Sequence, residues 1–218
     1  DVVDRTIPVL SRDEFIAQGG QDFGSDTDWL DETTQDAYSY TANLSIAGGD
    51  AITNYRASIN YRDNEGIAKN TGFERLNTRL ALNHNAIDGR LRFQINAAVN
   101  SRTQEAINNE TFRYAVIYNP TAPIFDDAES DFDGGFFQRP LFDFFNPVAL
   151  QNQQRFLQES RNILTNYRVE FDVVDGLTVT ANYAQDRTSR EDNNTWSKFD
   201  LVRGAGQQGM IERRSYAS

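Results

Sequence analysis

Six stretches of the chain alternate between apolar and polar residues with a period of two. In the stretch 91–100, for example, Leu91, Phe93 and Ile95 are separated by polar residues. Successive side chains of a β-strand point to opposite faces of a sheet, so each stretch predicts a strand with one apolar and one polar face. Each is close to the roughly ten residues with which a tilted strand crosses a bilayer. The stretches lie at 38–46, 54–62, 75–86, 91–100, 163–173 and 177–186.

The connections between these strands alternate in length. Asp88-Gly89 and Asp175-Gly176 are tight-turn sequences. Tight turns on one side and long loops on the other are typical of up-and-down membrane barrels. We therefore predict an all-β fold, a segment of a transmembrane antiparallel up-and-down β-barrel; a β-sandwich with a solvated polar face is the open alternative. The short links fall at 47–53, 87–90 and 174–176, and the long links at 63–72, at about 102–160 and from Arg187 onward.

The two phases of the alternation predict two different surroundings. The apolar phase is expected to face lipid and the polar phase to line a wet or plugged lumen. Aromatic residues of the apolar phase fall near both strand ends, as interfacial belts require. The central lipid-facing residues are Leu44, Ile59, Leu80, Ile95, Val169 and Val179, and the lumen-facing arginines are Arg56, Arg79, Arg92 and Arg168. The belts are Tyr38, Tyr40, Tyr61 and Tyr183 at the outer end and Tyr55, Phe93 and Phe171 at the inner end.

The composition excludes several classes of function. The 218 residues include no Cys, which excludes disulfide scaffolds, thiol catalysis and Cys-based zinc sites. The net charge of −11 argues against nucleic-acid binding, which needs an excess of Lys and Arg. The sequence shows no Ser-His-Asp set, no phosphate-binding loop and no convincing carboxylate pair, so we do not expect an enzyme. The single His, His84, lies in the apolar phase and is expected to be an interface or packing residue.

The first 37 residues are irregular and acidic. Within them, the capping-box sequence Ser11-Arg12-Asp13-Glu14 predicts a short helix over about 12–18. The chain begins with neither Met nor a signal peptide, which predicts a processed product or an internal segment.

The long link at about 102–160 is predicted to hold two short helices. One covers 109–118 and ends before Pro120; the other begins at Asn146-Pro147 and runs to about Phe156. Six Phe residues in this link are too apolar to remain in water, so we expect them to contact substrate or a partner protein, or to pack the loop onto its own barrel. They are Phe132, Phe136, Phe137, Phe142, Phe144 and Phe145.

The same link contains a weak calcium-loop pattern. Glu129, Asp131 and Asp133 are spaced like the first ligands of such a loop and precede Gly134. Pro140 stands where the acidic twelfth ligand is expected, so a solvated acidic loop is the open alternative. No other cofactor is expected.

Several stretches resemble, in the right order, the start of the barrel in SusC/RagA-type TonB-dependent transporters. Each motif is weak by itself, but together they cover nearly the whole chain and are specific. They are Thr27-Asp28-Trp29-Leu30-Asp31-Glu32, Asn43-Leu44-Ser45-Ile46-Ala47-Gly48-Gly49, Asn54-Tyr55-Arg56-Ala57-Ser58, Asn64-Glu65-Gly66-Ile67, Gly72-Phe73-Glu74-Arg75-Leu76-Asn77, Leu82-Asn83-His84, Tyr118-Asn119-Pro120-Thr121-Ala122-Pro123 and Phe145-Asn146-Pro147-Val148-Ala149-Leu150.

The resemblance implies a barrel of about 22 strands with an N-terminal plug, in the outer membrane of Bacteroidetes. It implies TonB-driven import of a glycan or peptide, with a SusD-like surface lipoprotein and the TonB complex as partners. Residues 1–37 would connect plug to barrel, and 38–218 would form N-terminal strands and extracellular loops; no TonB box or complete plug is recognisable. The alternative function is a soluble or surface carbohydrate-binding β-sandwich, in which Trp29 and Trp196 could stack on sugars.

Overall fold

The computed structural model describes residues 11–126, 134–139, 144–200, 202 and 208–218. Seven antiparallel strands form one sheet in which each strand pairs with its neighbours in sequence. In chain order the elements are α1 (Arg12–Ala17), α2 (Trp29–Thr33), β1 (Ser39–Gly49), β2 (Thr53–Glu65), β3 (Gly72–Ala86), β4 (Leu91–Ala106), α3 (Glu110–Ile117), α4 (Pro147–Gln153), β5 (Gln154–Val174), β6 (Leu177–Trp196) and β7 (Met210–Ala217).

The six predicted strands are confirmed, but they are longer than predicted and a seventh follows them. β5 begins at Gln154, about nine residues before the alternation starts at Ile163, and β6 continues to Trp196 rather than ending near Asp186. In these extensions both faces are polar, so the period-two signal disappears although the pairing continues. The prediction of a long link over 102–160 was therefore wrong at both ends: the link covers 107–153, and α4 ends at Gln153 rather than Phe156.

The register places all polar-phase residues on one face, because directly opposite residues of an antiparallel pair point to the same side. We call this the polar face and the opposite one the apolar face. A row of successive partners on the polar face is Asn43, Asn60, Asn77, Asn100 and Asn162. A row on the apolar face is Leu82, Ile95, Tyr167 and Tyr183. The predicted lipid-facing residues all lie on the apolar face.

The strands are tilted relative to the line of short turns. The first turn lies level with Asn83 of β3, which is about three residues short of the second turn at Ala86. The second turn lies level with Phe171 of β5, again about three residues short of the third turn at Val174. Three residues along a strand and two interstrand spacings are each about 10 Å, so the tilt is roughly 45°. This value is close to the ~35–45° of transmembrane barrels.

A small core lies at the long-link end of the sheet, where α2, α3 and α4 contact one another. The buried residues of this loop core are Trp29, Ala115, Tyr118, Ala122 and Val148. The Trp29 and Tyr118 rings meet edge to face at 4.9 Å, and Trp29 Nε1 donates to the Asn119 carbonyl at 3.0 Å. Gln151 Nε2 joins the core to the β2–β3 link by donating to the carbonyls of Thr33 and Lys69.

The described strands do not form a β-sandwich. They make one sheet, and its apolar face carries side chains that remain largely exposed, such as Leu44 at 71% and Tyr40 at 62%. A sandwich would bury this face against a second sheet. No helix among the described residues is long and apolar enough to cross a membrane.

Candidate functional site on the polar face

The structure places all four predicted lumen-facing arginines on the polar face. Arg56, Arg79, Arg92 and Arg168 all belong to the polar phase of their strands in the observed register. That this face lines a barrel lumen stays a prediction. The four arginines divide into two groups with different surroundings.

Arg92 and Arg168 lie near the short turns and are paired with carboxylates. Arg92 Nε lies 3.0 Å from Glu170 Oε2, and Arg92 Nη1 lies 2.7 Å from Asp172 Oδ2. Arg168 contacts Glu170 from the other side. The charges at this end of the polar face are therefore neutralised within the sheet itself.

Arg56 and Arg79 line an open groove of about 710 Å³ in the middle of the polar face. The groove is otherwise lined by hydroxyl and amide groups, including Ser45 and Asn96, by alanine and leucine residues, and by the carboxylate of Asp186. Among the described residues, neither arginine forms an ion pair. This groove can therefore offer free hydrogen-bond donors to a bound molecule.

Part of the asparagine row forms a hydrogen-bonded ladder across β1, β2 and β3. Asn60 donates to Asn43, and Asn77 Nδ2 donates to Asn60 Oδ1 at 3.2 Å. At the other end of the row, Asn162 Nδ2 donates to Asp186 Oδ1 at 2.7 Å and to Thr188 Oγ1 at 2.8 Å. Such a ladder fixes the register and leaves amide groups directed away from the strands.

Beside the ladder, three arginines are direct cross-strand neighbours. Arg62 of β2 lies opposite Arg75 of β3, which lies opposite Arg102 of β4. We call these three residues the arginine row. Arg62 and Arg75 were recognisable in the polar phase, but their alignment depends on a register that the sequence does not fix. Arg102 was missed because it lies in the part of β4 beyond the apolar alternation.

The charges of β1–β4 are completely divided between the two faces. The polar face carries every arginine of these strands and no carboxylate, whereas the apolar face carries every carboxylate and no arginine. The arginines are Arg56, Arg62, Arg75, Arg79, Arg92 and Arg102. The carboxylates are Asp63, Glu65, Glu74 and Glu105, all at the long-link ends of their strands. In a chain with a net charge of −11, this makes the polar face of β1–β4 a positively charged surface.

The four described residues of the predicted Phe cluster are half-buried in the loop. Phe144 stacks on Tyr118 at 5.0 Å, and Phe137 meets Phe23 edge to face at 4.9 Å. Phe136 lies beside Phe125, and Phe145 beside Tyr114. These contacts show that the rings pack the loop; their contact with substrate or partner stays a prediction.

Five candidate residues lie outside the described residues, so the predictions made for them remain predictions. They are Phe132, Phe142 and the calcium candidates Glu129, Asp131 and Asp133. Trp29 and Trp196 are only 3% and 6% exposed, so they are packing residues rather than sugar platforms.

His84 also makes a local packing contact. Its Nδ1 lies 2.7 Å from Thr53 Oγ1 across the β2–β3 pair. Its ring centroid lies 6.4 Å from that of Phe93.

Known proteins resemble this chain in both sequence and structure. The TonB-dependent receptor SusC of Bacteroides thetaiotaomicron is 31% identical over 141 residues, which cover 60% of this chain and 14% of that protein. Two structures of the RagAB peptide importer, in closed-closed and open-open states, match 90% of this chain and 22% of theirs, each with a TM-score of 0.67 and identities of 21% and 22%. No family model matches the chain.

The comparisons support the predicted resemblance to a segment of SusC/RagA-type transporters. This chain spans 14% of the length of its SusC relative and 22% of the RagAB chains, so it corresponds to part of a barrel. The structural likeness covers the sheet, and it confirms the predicted fold. The resemblance motifs at 118–123 and 145–150 are explained by the loop core, since Tyr118, Ala122 and Val148 are among its buried residues.

Proposed function

We propose that this chain is part of an outer-membrane transporter that imports a large nutrient, a glycan or peptide, with energy supplied by TonB. The observation that carries the proposal is the contrast between the two faces of one continuous sheet. One face is apolar and exposed, and the other is polar and rich in arginine and asparagine. The similarity to a TonB-dependent receptor and to a peptide importer supports the same function.

The dimensions of the apolar face fit a membrane. The alternation in β5 extends over about eleven residues, which at roughly 3.3 Å per residue and a tilt of about 45° span about 25 Å. The apolar band of a transmembrane barrel is also about 25 Å tall. Lipid covers this face in the proposed setting, and the strand extensions rise beyond the band on the long-link side.

The loop core offers a surface for a SusD-like lipoprotein. On α3, Val116 is 71% exposed, and its neighbours Phe112 and Ile117 are also exposed. Phe125, on the following segment, is 59% exposed. Exposed apolar side chains of this kind are typical of a protein contact, and their place at the long-link end supports a partner on the extracellular surface.

The proposal is tested with the full-length gene in its native organism. We expect the protein to fractionate with the outer membrane and to require detergent for extraction. Deleting the gene should abolish growth on one complex nutrient, and deleting tonB should have the same effect on that nutrient. A protein that is soluble without detergent, or uptake that persists without TonB, would contradict the proposal.

A further inference from the structure

We propose that the arginine row binds a carboxylate of the imported molecule, so that the transporter prefers acidic substrates. This inference rests on the proposed function and adds a substrate class to it. It begins from three guanidinium groups that the register aligns on adjacent strands, Arg62, Arg75 and Arg102.

The row contains donors that the described part of the chain leaves unsatisfied. Arg75 Nε and Arg102 Nε are buried and have no hydrogen-bond partner. Buried polar atoms are nearly always paired, because an unpaired one costs on the order of 1–3 kcal/mol. The described residues therefore provide no acceptor for either Nε, and an anionic ligand would act on these two side chains through their other N–H groups.

The charge pattern indicates that this ligand is an anion. Like charges directly opposite each other on a sheet are destabilising, and here three cations stand side by side. Several other arginines on the polar face have a carboxylate beside them, such as Arg190, whose Nε lies 2.8 Å from Asp192 Oδ1. For Arg75 and Arg102, no such partner lies among the described residues, and the nearby acids of β2–β4 are on the other face.

Neighbouring side chains hold the row in place and add further donors. Phe73 lies between two of the cations, with its ring centroid 4.7 Å from the Arg102 guanidinium carbon and 5.6 Å from that of Arg62. Arg62 Nε donates to Asn64 Oδ1 at 2.6 Å, which fixes that side chain. Ring contacts of this kind orient a planar guanidinium whose fork matches the two oxygens of a carboxylate. Asn77 and Asn100 stand in the next row and provide amide N–H groups beside it.

The position of the row favours a substrate over a fixed protein carboxylate. Arg75 and Arg102 lie about eleven residues from the second turn, at the level where the apolar face gives way to Asp63 and Glu74. The row is thus at the long-link mouth of the polar face, where an imported molecule enters. The arginines at the opposite end, such as Arg92, already have carboxylate partners within the sheet.

The test uses the full-length transporter in detergent and compares matched ligands by calorimetry. Hexaglutamate is compared with hexaglutamine, and hexagalacturonate with its methyl ester, so that a carboxylate is tested on both a peptide and a glycan backbone. We expect at least one acidic ligand to bind at least tenfold more tightly than its neutral counterpart, and the difference to shrink as salt is raised. Equal binding of both members of each pair by the wild-type protein would overturn the inference, whatever any variant does.

Two double variants test whether the preference for acidic ligands comes from the arginine row. The double substitution Arg75→Gln/Arg102→Gln should remove the acidic preference, and Arg75→Lys/Arg102→Lys should keep only part of it, because lysine lacks the planar fork. The control is Arg155→Gln, which removes an arginine paired with Glu105 at 2.5 Å outside the row and should leave the preference unchanged.

Two outcomes separate the inference from the proposed function. If the glutamine double variant keeps the acidic preference, the inference is wrong. If the wild type shows no preference and the double variant instead lowers the melting temperature, the row pairs with a carboxylate of the protein itself, and the inference again fails. TonB-dependent uptake of the native nutrient would survive in both cases, so the proposed function would stand.

Discussion

Introducing an arginine on the apolar face should destabilise the protein by an amount that depends on depth. Leu80 lies about six residues from the second turn, which at a tilt of about 45° places it roughly 14 Å into a band about 25 Å thick. Val179 is about two residues from the third turn and so only about 5 Å deep. We therefore expect Leu80→Arg to lower the free energy of unfolding by about 2–4 kcal/mol and Val179→Arg by about 0–1 kcal/mol.

The assay is urea unfolding of the full-length protein in lipid vesicles, with Asn96→Arg as the matched control. Asn96 lies on the polar face and lines the central groove, so an arginine there remains hydrated and should change the free energy of unfolding by less than about 0.5 kcal/mol. If Asn96→Arg costs more than Leu80→Arg, the assignment of the two faces is inverted. If Leu80→Arg and Val179→Arg cost the same, the tilt and depth argument is wrong.

Three further predictions concern the loops. Trp29→Ala should destabilise the loop core by about 3–5 kcal/mol, so that a protease cleaves within 107–153 while the barrel stays intact; cleavage at the wild-type rate would contradict this. Asn146→Ala removes the side chain that caps α4 and donates to two backbone carbonyls, so it should lower the stability of the loop core by about 2 kcal/mol. The same protease assay should show no change for the control Asn152→Ala. Hydrogen bonds from the backbone N–H groups of Thr53 and Ile52 lower the pKa of Asp50 in the first turn, so its stabilising contribution is present above the ordinary Asp pKa and is lost as pH falls below about 4. The stability difference between wild type and Asp50→Asn should therefore be constant from pH 8 to pH 5 and vanish in acid; a constant difference down to pH 2 would refute this.

The sequence predicted the membrane-level part of the fold because lipid imposes a strict alternation there. The strands, the turns at Asp88-Gly89 and Asp175-Gly176 and the face of each predicted residue follow from that alternation. The capping box of α1 was equally readable, and Ser11 and Glu14 form both of its hydrogen bonds.

The other parts of the fold could not be predicted from the sequence, because the alternation that lipid imposes ends where the apolar band ends. Beyond it β5, β6 and β7 carry mostly polar residues on both sides, and their few apolar residues do not alternate regularly, so the pairing leaves no periodic pattern in the sequence. The arginine row was hidden for a related reason: Arg62, Arg75 and Arg102 are far apart in sequence, and only the register brings them together. The helices at 110–117 and 147–153 were predicted, but not that they join Trp29 in a common core.

That core has a consequence for the order in which the sheet assembles. The turn between β5 and β6 closes over two residues, whereas β4 and β5 can meet only by closing the loop 107–153, which costs roughly 3 kcal/mol of chain entropy. α3 begins a few residues after β4, and α4 runs directly into β5, so packing these helices together brings the two strand ends side by side. The helices thus pre-form the junction, and the pairing of β4 with β5 can then extend from the mouth toward the turns.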